Sequence, residues 1–254
     1  GVATGLSSEG YKVITTTFSP FQTMRCCEQV RMNLGYMRHK VCMVGLASGL
    51  VLGPLGYSHC CIEDVSIMRS IPGITVISPA DSGETVKAAL ASVYHSESVY
   101  IRLTGGANNP IVYEDDYKFE IGRAITLREG KDITIIAAGT MVYYSLKTAE
   151  LLDKKGISTK VINMHTIKPI DKEAVKKASE TTKLLVTIEE HSVIGGLGSA
   201  VSQHLVTLNE SRFLEIIGLP DEYGSAGSYK DLLEIHGLTE EKIAHKIVKR
   251  LNRI

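Results

Sequence analysis

Two phenylalanines three residues apart, in Thr17-Phe18-Ser19-Pro20-Phe21, follow directly on a β-rich run, Val13–Thr17. The chain holds four Phe and no Trp, so two rings in one strand-exit loop stand out. A ring placed there can stack on a planar ligand or pack beneath the sheet, and on residue type alone packing is the default. Arg25 follows Phe21 by four, which on a helix puts it on the same face one turn later. It is then a surface charge, or a donor beside whatever the rings hold.

A second candidate is Gly53-Pro54-Leu55-Gly56-Tyr57-Ser58-His59. Glycines let backbone approach a ligand closely, and a histidine at the end of such a loop can move protons near neutral pH. Its plainer role is a solvated or hydrogen-bonded loop histidine. A third is Glu189-Glu190-His191 followed by Gly195-Gly196-Leu197-Gly198. Glycines ahead of a helix can cradle an anion, but the third glycine of the dinucleotide fingerprint is missing, so a tight strand-to-helix turn is the better reading. No Walker loop, zinc-protease helix, nucleophile elbow or EF-hand loop is present in the sequence.

The five cysteines, Cys26, Cys27, Cys42, Cys60 and Cys61, are odd in number and include two adjacent pairs, a poor disulfide framework. They read as free thiols in a reducing compartment, hence the cytoplasm. The run His59-Cys60-Cys61 lacks the spacing that lets ligand side chains converge on a metal, so no metal site is expected.

These residues must be positioned by a framework, and the hydrophobic pattern supplies one. Strands are expected at Val13–Thr17, Cys42–Leu46, Ile74–Ser78 and Val99–Leu103, with helical segments at about Pro20–Met37, Cys61–Ser70 and Asp81–His95. Thr104–Lys118, with Gly-Gly, Asn-Asn-Pro and Glu-Asp-Asp, has loop composition. A second series follows: strands Ile133–Ala138, Thr159–Asn163, Leu184–Glu189 and Leu214–Gly218, and helices after Gly139-Thr140, at Asp171–Glu180, at Leu197–Leu208 and at Glu240–Leu251, the last capped by Thr239. The alternation predicts an α/β fold of two α/β domains with mostly parallel sheets. We place them at 1–113 and 123–254, joined by a linker at 114–122. In such sheets ligands sit beyond the carboxyl ends of the strands. The chain opens on Gly1 inside a helical pattern that Gly10 ends, which reads as a truncated, processed or incomplete N-terminus.

Composition narrows the classes of function. Over 254 residues, 44% are hydrophobic, and Lys+Arg and Asp+Glu both number 28. That composition is globular, and the balanced charge gives no electrostatic footprint for nucleic acid. No apolar run reaches the roughly 18 residues of a membrane span, and the charge-free stretch from Val41 to Cys61 is broken by glycines and a proline.

At these same residues the sequence resembles the C-terminal half of transketolase-like thiamin diphosphate enzymes, particularly the split kind made as two polypeptides. Phe18–Gln29 resembles that family's pyrimidine-binding strand exit and helix. Gly53–Ile77 resembles its central loop and following helix, and Ser78-Pro79-Ala80-Asp81 matches too. In the second half the runs Val161–Pro169, Thr187–Val201 and Gly218–Asp221 match in the same register.

The resemblance implies a thiamin pyrimidine-binding domain and a transketolase C-terminal domain. It further implies that Phe18 and Phe21 pack on the cofactor's aminopyrimidine, that Arg25 lies beside them, and that His59 is the active-site histidine. The cofactors implied are thiamin diphosphate and Mg²⁺, with diphosphate and metal held by an N-terminal diphosphate-binding partner subunit. The implied assembly is a homodimer of this chain with two copies of that partner, a heterotetramer, acting on a small sugar or sugar phosphate. The family's glutamate on the pyrimidine nitrogen matches a position upstream of Gly1. Where the family's sugar-contacting histidine and aspartate are expected, this sequence has Ala47 and Leu55, and at the phosphate-binding arginine it has Thr104. The expected function is therefore ketol transfer by a C-terminal subunit with a non-standard substrate. The alternatives are a 1-deoxyxylulose 5-phosphate synthase-like enzyme, which expects asparagine where His191 stands, and a degenerate, non-catalytic subunit that dimerises or regulates.

Overall fold

The fold is taken from a computed structural model that describes residues 1–106, 108–208 and 213–254. Its strands are β1 (Val13–Phe18), β2 (Val41–Leu46), β3 (Ile74–Ile77), β4 (Ser98–Arg102), β5 (Ile125–Arg128), β6 (Ile133–Ala137), β7 (Thr159–Asn163), β8 (Thr166–Lys168), β9 (Leu184–Ser192) and β10 (Phe213–Leu219). The helices are α1 (Val2–Ser8), α2 (Ser19–Gln22), α3 (Cys27–Gln29), α4 (Asp64–Ser70), α5 (Ser82–Tyr94), α6 (Met141–Asp153), α7 (Lys172–Thr181), α8 (Leu197–Thr207), α9 (Tyr229–His236) and α10 (Glu240–Leu251).

These strands form two five-stranded sheets, ordered β1-β2-β4-β3-β8 and β10-β9-β6-β7-β5. Within each, four strands run parallel and one edge strand, β8 or β5, runs antiparallel. The two α/β units with mostly parallel sheets are thus those the alternation predicts. Strands β3, β4, β6, β7 and β9 are buried along their whole length, as strands covered by helices on both faces must be. Edge strand β1 alternates between half-buried and exposed residues. Helix α10 inserts Ile243 and Ile247 into the core of the second unit, beside Val142 and Leu152 of α6.

Strand β8 joins the units. It follows β7 after two residues, yet pairs antiparallel with β3 of the first sheet, Val76 opposite Lys168 and Ile77 opposite Thr166. The strand expected from the sequence ends at Asn163, and the turn of the next residues into the other sheet is decided by tertiary packing. Strands β5 and β8 and helix α9 lie outside the predicted pattern; α9 is set by the Ser228 cap, which accepts from the Asp231 amide, and by Gly237 in the left-handed region (φ 70°).

Three local expectations are corrected. The helix expected over Pro20–Met37 is broken: α2 ends at Gln22, residues 23–26 turn, α3 is short, and Val30–Tyr36 is π-helical. The break starts where the Arg25 amide bonds back five residues to Pro20 O (3.1 Å) and the Thr23 hydroxyl takes Ser19 O (2.7 Å). The helix expected from Cys61 starts at Asp64, because Cys61 pairs with Gly49 in an antiparallel bridge. Thr239 occupies the N-cap of α10 without capping it; its hydroxyl donates to Glu234 Oε2 (3.2 Å). Within the expected loop 104–118, Ala107 lies outside the described residues.

Candidate active site

At the carboxyl end of the first sheet, β1 delivers Phe18 and β2 delivers Leu46 as register partners. Pro20 at the start of α2 turns the chain so that Phe21 comes back beside Phe18, with ring centroids 6.2 Å apart. Beyond β2 the loop 47–61 runs through a 3-10 turn at Gly53–Ser58 and returns His59 to the same place. The imidazole stands edge-on to both rings, 6.2 Å from Phe18 and 5.6 Å from Phe21. Residues 38 or more apart in sequence therefore converge on one surface.

The rings do not pack beneath the sheet. Phe18 is 36% exposed, Phe21 and His59 are half-buried, and neither ring belongs to a buried core cluster. The Arg25 guanidinium lies over the Phe21 ring, 3.8 Å from its centroid. The backbone break in the expected helix brings it there, although helical spacing names the same neighbour. Ser58 Oγ sits 3.0 Å from His59 Nδ1, and Nε2 has no hydrogen-bond partner among the described residues.

Beneath this surface lies a buried polar network that sequence reasoning missed. Arg102, at the end of β4, donates from Nε to both oxygens of Asp64 (3.1 and 2.8 Å) and from Nη2 to Glu190 O (2.8 Å). Tyr100 donates to Asp64 Oδ2 (2.7 Å) and lies 3.1 Å from Ser19 Oγ, which also meets Ser48 Oγ. Ser19 stands between the two site phenylalanines, so the network reaches the site from below. The available signal was an arginine inside an otherwise apolar strand, Val99-Tyr100-Ile101-Arg102, since a charge buried there needs a partner.

The third sequence candidate resolves as architecture. Glu189 accepts from the Leu197 and Gly198 amides (2.6 and 2.8 Å), so its own carboxylate fills the amino terminus of α8. Gly195 takes a left-handed turn (φ 78°), as a tight strand-to-helix connection requires. Burial pushes the Glu189 and Glu190 carboxyls up to about 7 and holds the His191 imidazole down to about 4. Thr104 is also structural: its hydroxyl accepts from the Thr140 amide (3.0 Å) and meets the Thr140 hydroxyl (2.8 Å). Ala47, in the left-handed region (φ 51°), and Thr104 line a cavity of about 300 Å³ beside Leu46, and Leu55 is exposed. The five cysteines are free, and burial raises the Cys60 thiol to about 11 and the Cys61 thiol further. Among the described residues no three His, Cys, Asp or Glu are grouped to hold a metal ion.

Fold and site together define the pyrimidine-binding and C-terminal domain pair of the transketolase class. Residues 1–109 match the family model described as "Transketolase, pyrimidine binding domain", and residues 122–243 match "Transketolase, C-terminal domain". The chain is 39% identical over 255 residues to a subunit of the apulose-4-phosphate transketolase of Phocaeicola vulgatus, covering 98% of this chain and 80% of that protein. It is 42% identical to the 6-deoxy-6-sulfo-D-fructose transketolase subunit SqwH of Clostridium sp., covering 99% and 79%. A solved structure described as "Split gene transketolase, inactive beta4 tetramer" superposes with a TM-score of 0.89 at 36% identity, covering 99% of this chain and 80% of that one. 1-Deoxy-D-xylulose-5-phosphate synthase of Desulforudis audaxviator is 33% identical, and the chain covers 38% of it. The chain belongs to the transketolase family, as a subunit of the split type.

Proposed function

We propose that the chain is the C-terminal subunit of a two-chain, thiamin diphosphate-dependent transketolase that moves a two-carbon ketol unit from a ketose to an aldehyde. The observation that carries this reading is the convergence of His59 on the Phe18–Phe21 pair at the end of a parallel sheet. Two partly exposed rings fit one face of an aminopyrimidine, and their burial against it supplies binding without charge. When bound, the cofactor supplies the thiazolium that receives the two-carbon unit. Phe18 and Phe21 orient the pyrimidine, Arg25 backs the Phe21 ring, and His59 holds or moves a proton on the substrate side. The diphosphate and Mg²⁺ fall to an N-terminal partner subunit, with this chain as a homodimer at the centre of a heterotetramer. The five free thiols favour a reducing compartment, the cytoplasm.

The substrate end differs from the sugar-phosphate pattern. With Thr104 committed to Thr140, and Ala47 and Leu55 without charge, this chain supplies no cation at those positions. Each charge-assisted bond so forgone is worth about 1.5–3 kcal/mol, so we read the substrate as other than a common pentose phosphate. Titration calorimetry of thiamin diphosphate with Mg²⁺ into the chain mixed with its partner tests the reading, with the chain alone as control. Micromolar binding confined to the mixture is expected. A folded complex that binds no cofactor makes this a non-catalytic subunit.

A further inference from the structure

The loop that carries His59 belongs to the first domain but is held by the second. We propose that Glu190, on β9, is a positioning residue for His59 and acts through the loop 47–61. The proposal rests on the assignment of His59 made above.

Glu190 is 1% exposed, and its two carboxylate oxygens have separate duties. Oε1 accepts from the Leu50 amide at 2.7 Å, and Oε2 accepts from the Tyr229 hydroxyl at 2.7 Å, which ties the carboxylate to α9. Gly49 permits this approach. It sits at φ 71°, and a Cβ there would overlap Glu190 Oε1, so the carboxylate occupies the space a side chain would take.

From Leu50 the loop is a relay of short backbone bonds. Gly53 N donates to Leu50 O (2.8 Å), Leu55 N to Leu52 O (2.8 Å), and His59 N to Gly56 O (3.0 Å). Its ends are tied to each other by Gly49 N to Cys61 O (2.8 Å) and Cys61 N to Gly49 O (3.0 Å). The second domain holds it at two further points, Glu190 O through Arg102 to Cys61 O, and Gly227 N donating to Gly53 O (3.1 Å), and just past its end Ser192 N donates to Ile62 O (2.9 Å). Of these, the bond to Leu50 N is the one that a side chain of the second domain makes to a loop amide. A loop so tied moves as a body, and a shift of its first turn carries over to the imidazole. A misplacement of about 1 Å far from the chemistry can cost two orders of magnitude in rate.

The test uses the chain assembled with its partner and combines two readouts. Hydrogen–deuterium exchange of peptides spanning residues 47–61 should be at least tenfold faster in Glu190→Ala, near wild type in Glu190→Gln, which keeps one acceptor for Leu50 N, and unchanged in peptides from β6 and β7. In kinetics, Glu190→Ala should lower kcat at least tenfold with thiamin diphosphate affinity within threefold of wild type. The double variant with His59→Ala should be no slower than His59→Ala alone. Unchanged loop exchange in Glu190→Ala, or a double variant that loses the product of the two single effects, overturns the proposal. If Glu190→Ala does not fold, Tyr229→Phe removes one partner of the same carboxylate, and loop exchange should rise about threefold; no rise overturns the proposal. The exchange readout needs no turnover, so a wild-type assembly without ketol transfer defeats the functional reading alone.

Discussion

Replacing Arg102 by Met tests whether the domain junction is dry. The guanidinium side chain is 4% exposed and the Asp64 side chain 0%, with 2.8 Å between Arg102 Nε and Asp64 Oδ2. Arg102→Met keeps most of the aliphatic volume but leaves Asp64 with the Tyr100 hydroxyl as its remaining hydrogen-bond donor, and leaves Glu190 O without its side-chain donor. Breaking one side of a buried pair typically costs about 3–5 kcal/mol. At about 2–4 °C per kcal/mol for a chain of this size, the melting temperature should fall by roughly 6–20 °C. The double variant Asp64→Leu/Arg102→Met removes both charges. Tyr100 keeps Ser19 Oγ within 3.1 Å, so its hydroxyl stays satisfied. The double variant should recover to within about 2 kcal/mol of wild type, since apolar replacements of buried pairs are often neutral. The assay is thermal unfolding at fixed pH and fixed partner concentration. If Arg102→Met costs less than about 1 kcal/mol, or the double variant is no more stable than the single, the pair is solvated and the reasoning about the junction fails.

Other consequences follow from the same geometry. Phe21→Ala should weaken thiamin diphosphate binding by about 5- to 150-fold, from roughly 1–3 kcal/mol of ring burial. His59→Ala should leave binding near normal and slow turnover, and equal effects on cofactor affinity would refute that division of roles. In the folded chain burial holds the Glu189 carboxyl up to about 7, so the folded state binds more protons than the unfolded one between about 4.5 and 7. That contribution to stability is present below the unfolded value and is lost as pH rises through 7; Glu189→Gln should abolish this part of the pH slope, read by denaturant unfolding across the window. His191 acts with the opposite sign: burial lowers its imidazole to about 4, so stability falls as pH drops from 6.5 towards 4, and His191→Asn should flatten that limb. Gly45→Ala would drive a Cβ into Tyr100 Oη and Ser19 Oγ, and should cost about 1–3 kcal/mol, measured by calorimetric unfolding.

The resemblance and the residue types named Phe18, Phe21, Arg25 and His59, but residue type alone leaves two readings of the rings open. A ring next to a strand can point either way, and local spacing carries no information about which face a later loop will cover. The loop 47–61 covers that face by folding back until Gly49 meets Cys61. Similarly, four residues separate Phe21 and Arg25, and a regular helix would bring them together. The chain breaks the helix and places the guanidinium on the ring by a wide turn. The neighbour was legible, whereas the route was not, because helix breaks of this kind depend on side-chain bonds to carbonyls rather than on hydrophobic period.

The sequence by itself determined the class of fold. Apolar runs alternating with amphipathic segments oblige parallel sheets to be covered on both faces, and that requirement is local enough to read from period and turn residues. Tertiary structure alone decided what each buried charge at the domain junction is bonded to. Asp64, Arg102, Glu189 and Glu190 lie up to 126 residues apart in the chain, and nothing in their local pattern distinguishes a pinned carboxylate from a solvated one. Their partners follow from the packing of one sheet's end against the other's, where Arg102 of β4 donates to Glu190 O of β9 (2.8 Å). In the dry space between two sheets, a charge is tolerated only where the fold supplies its partner.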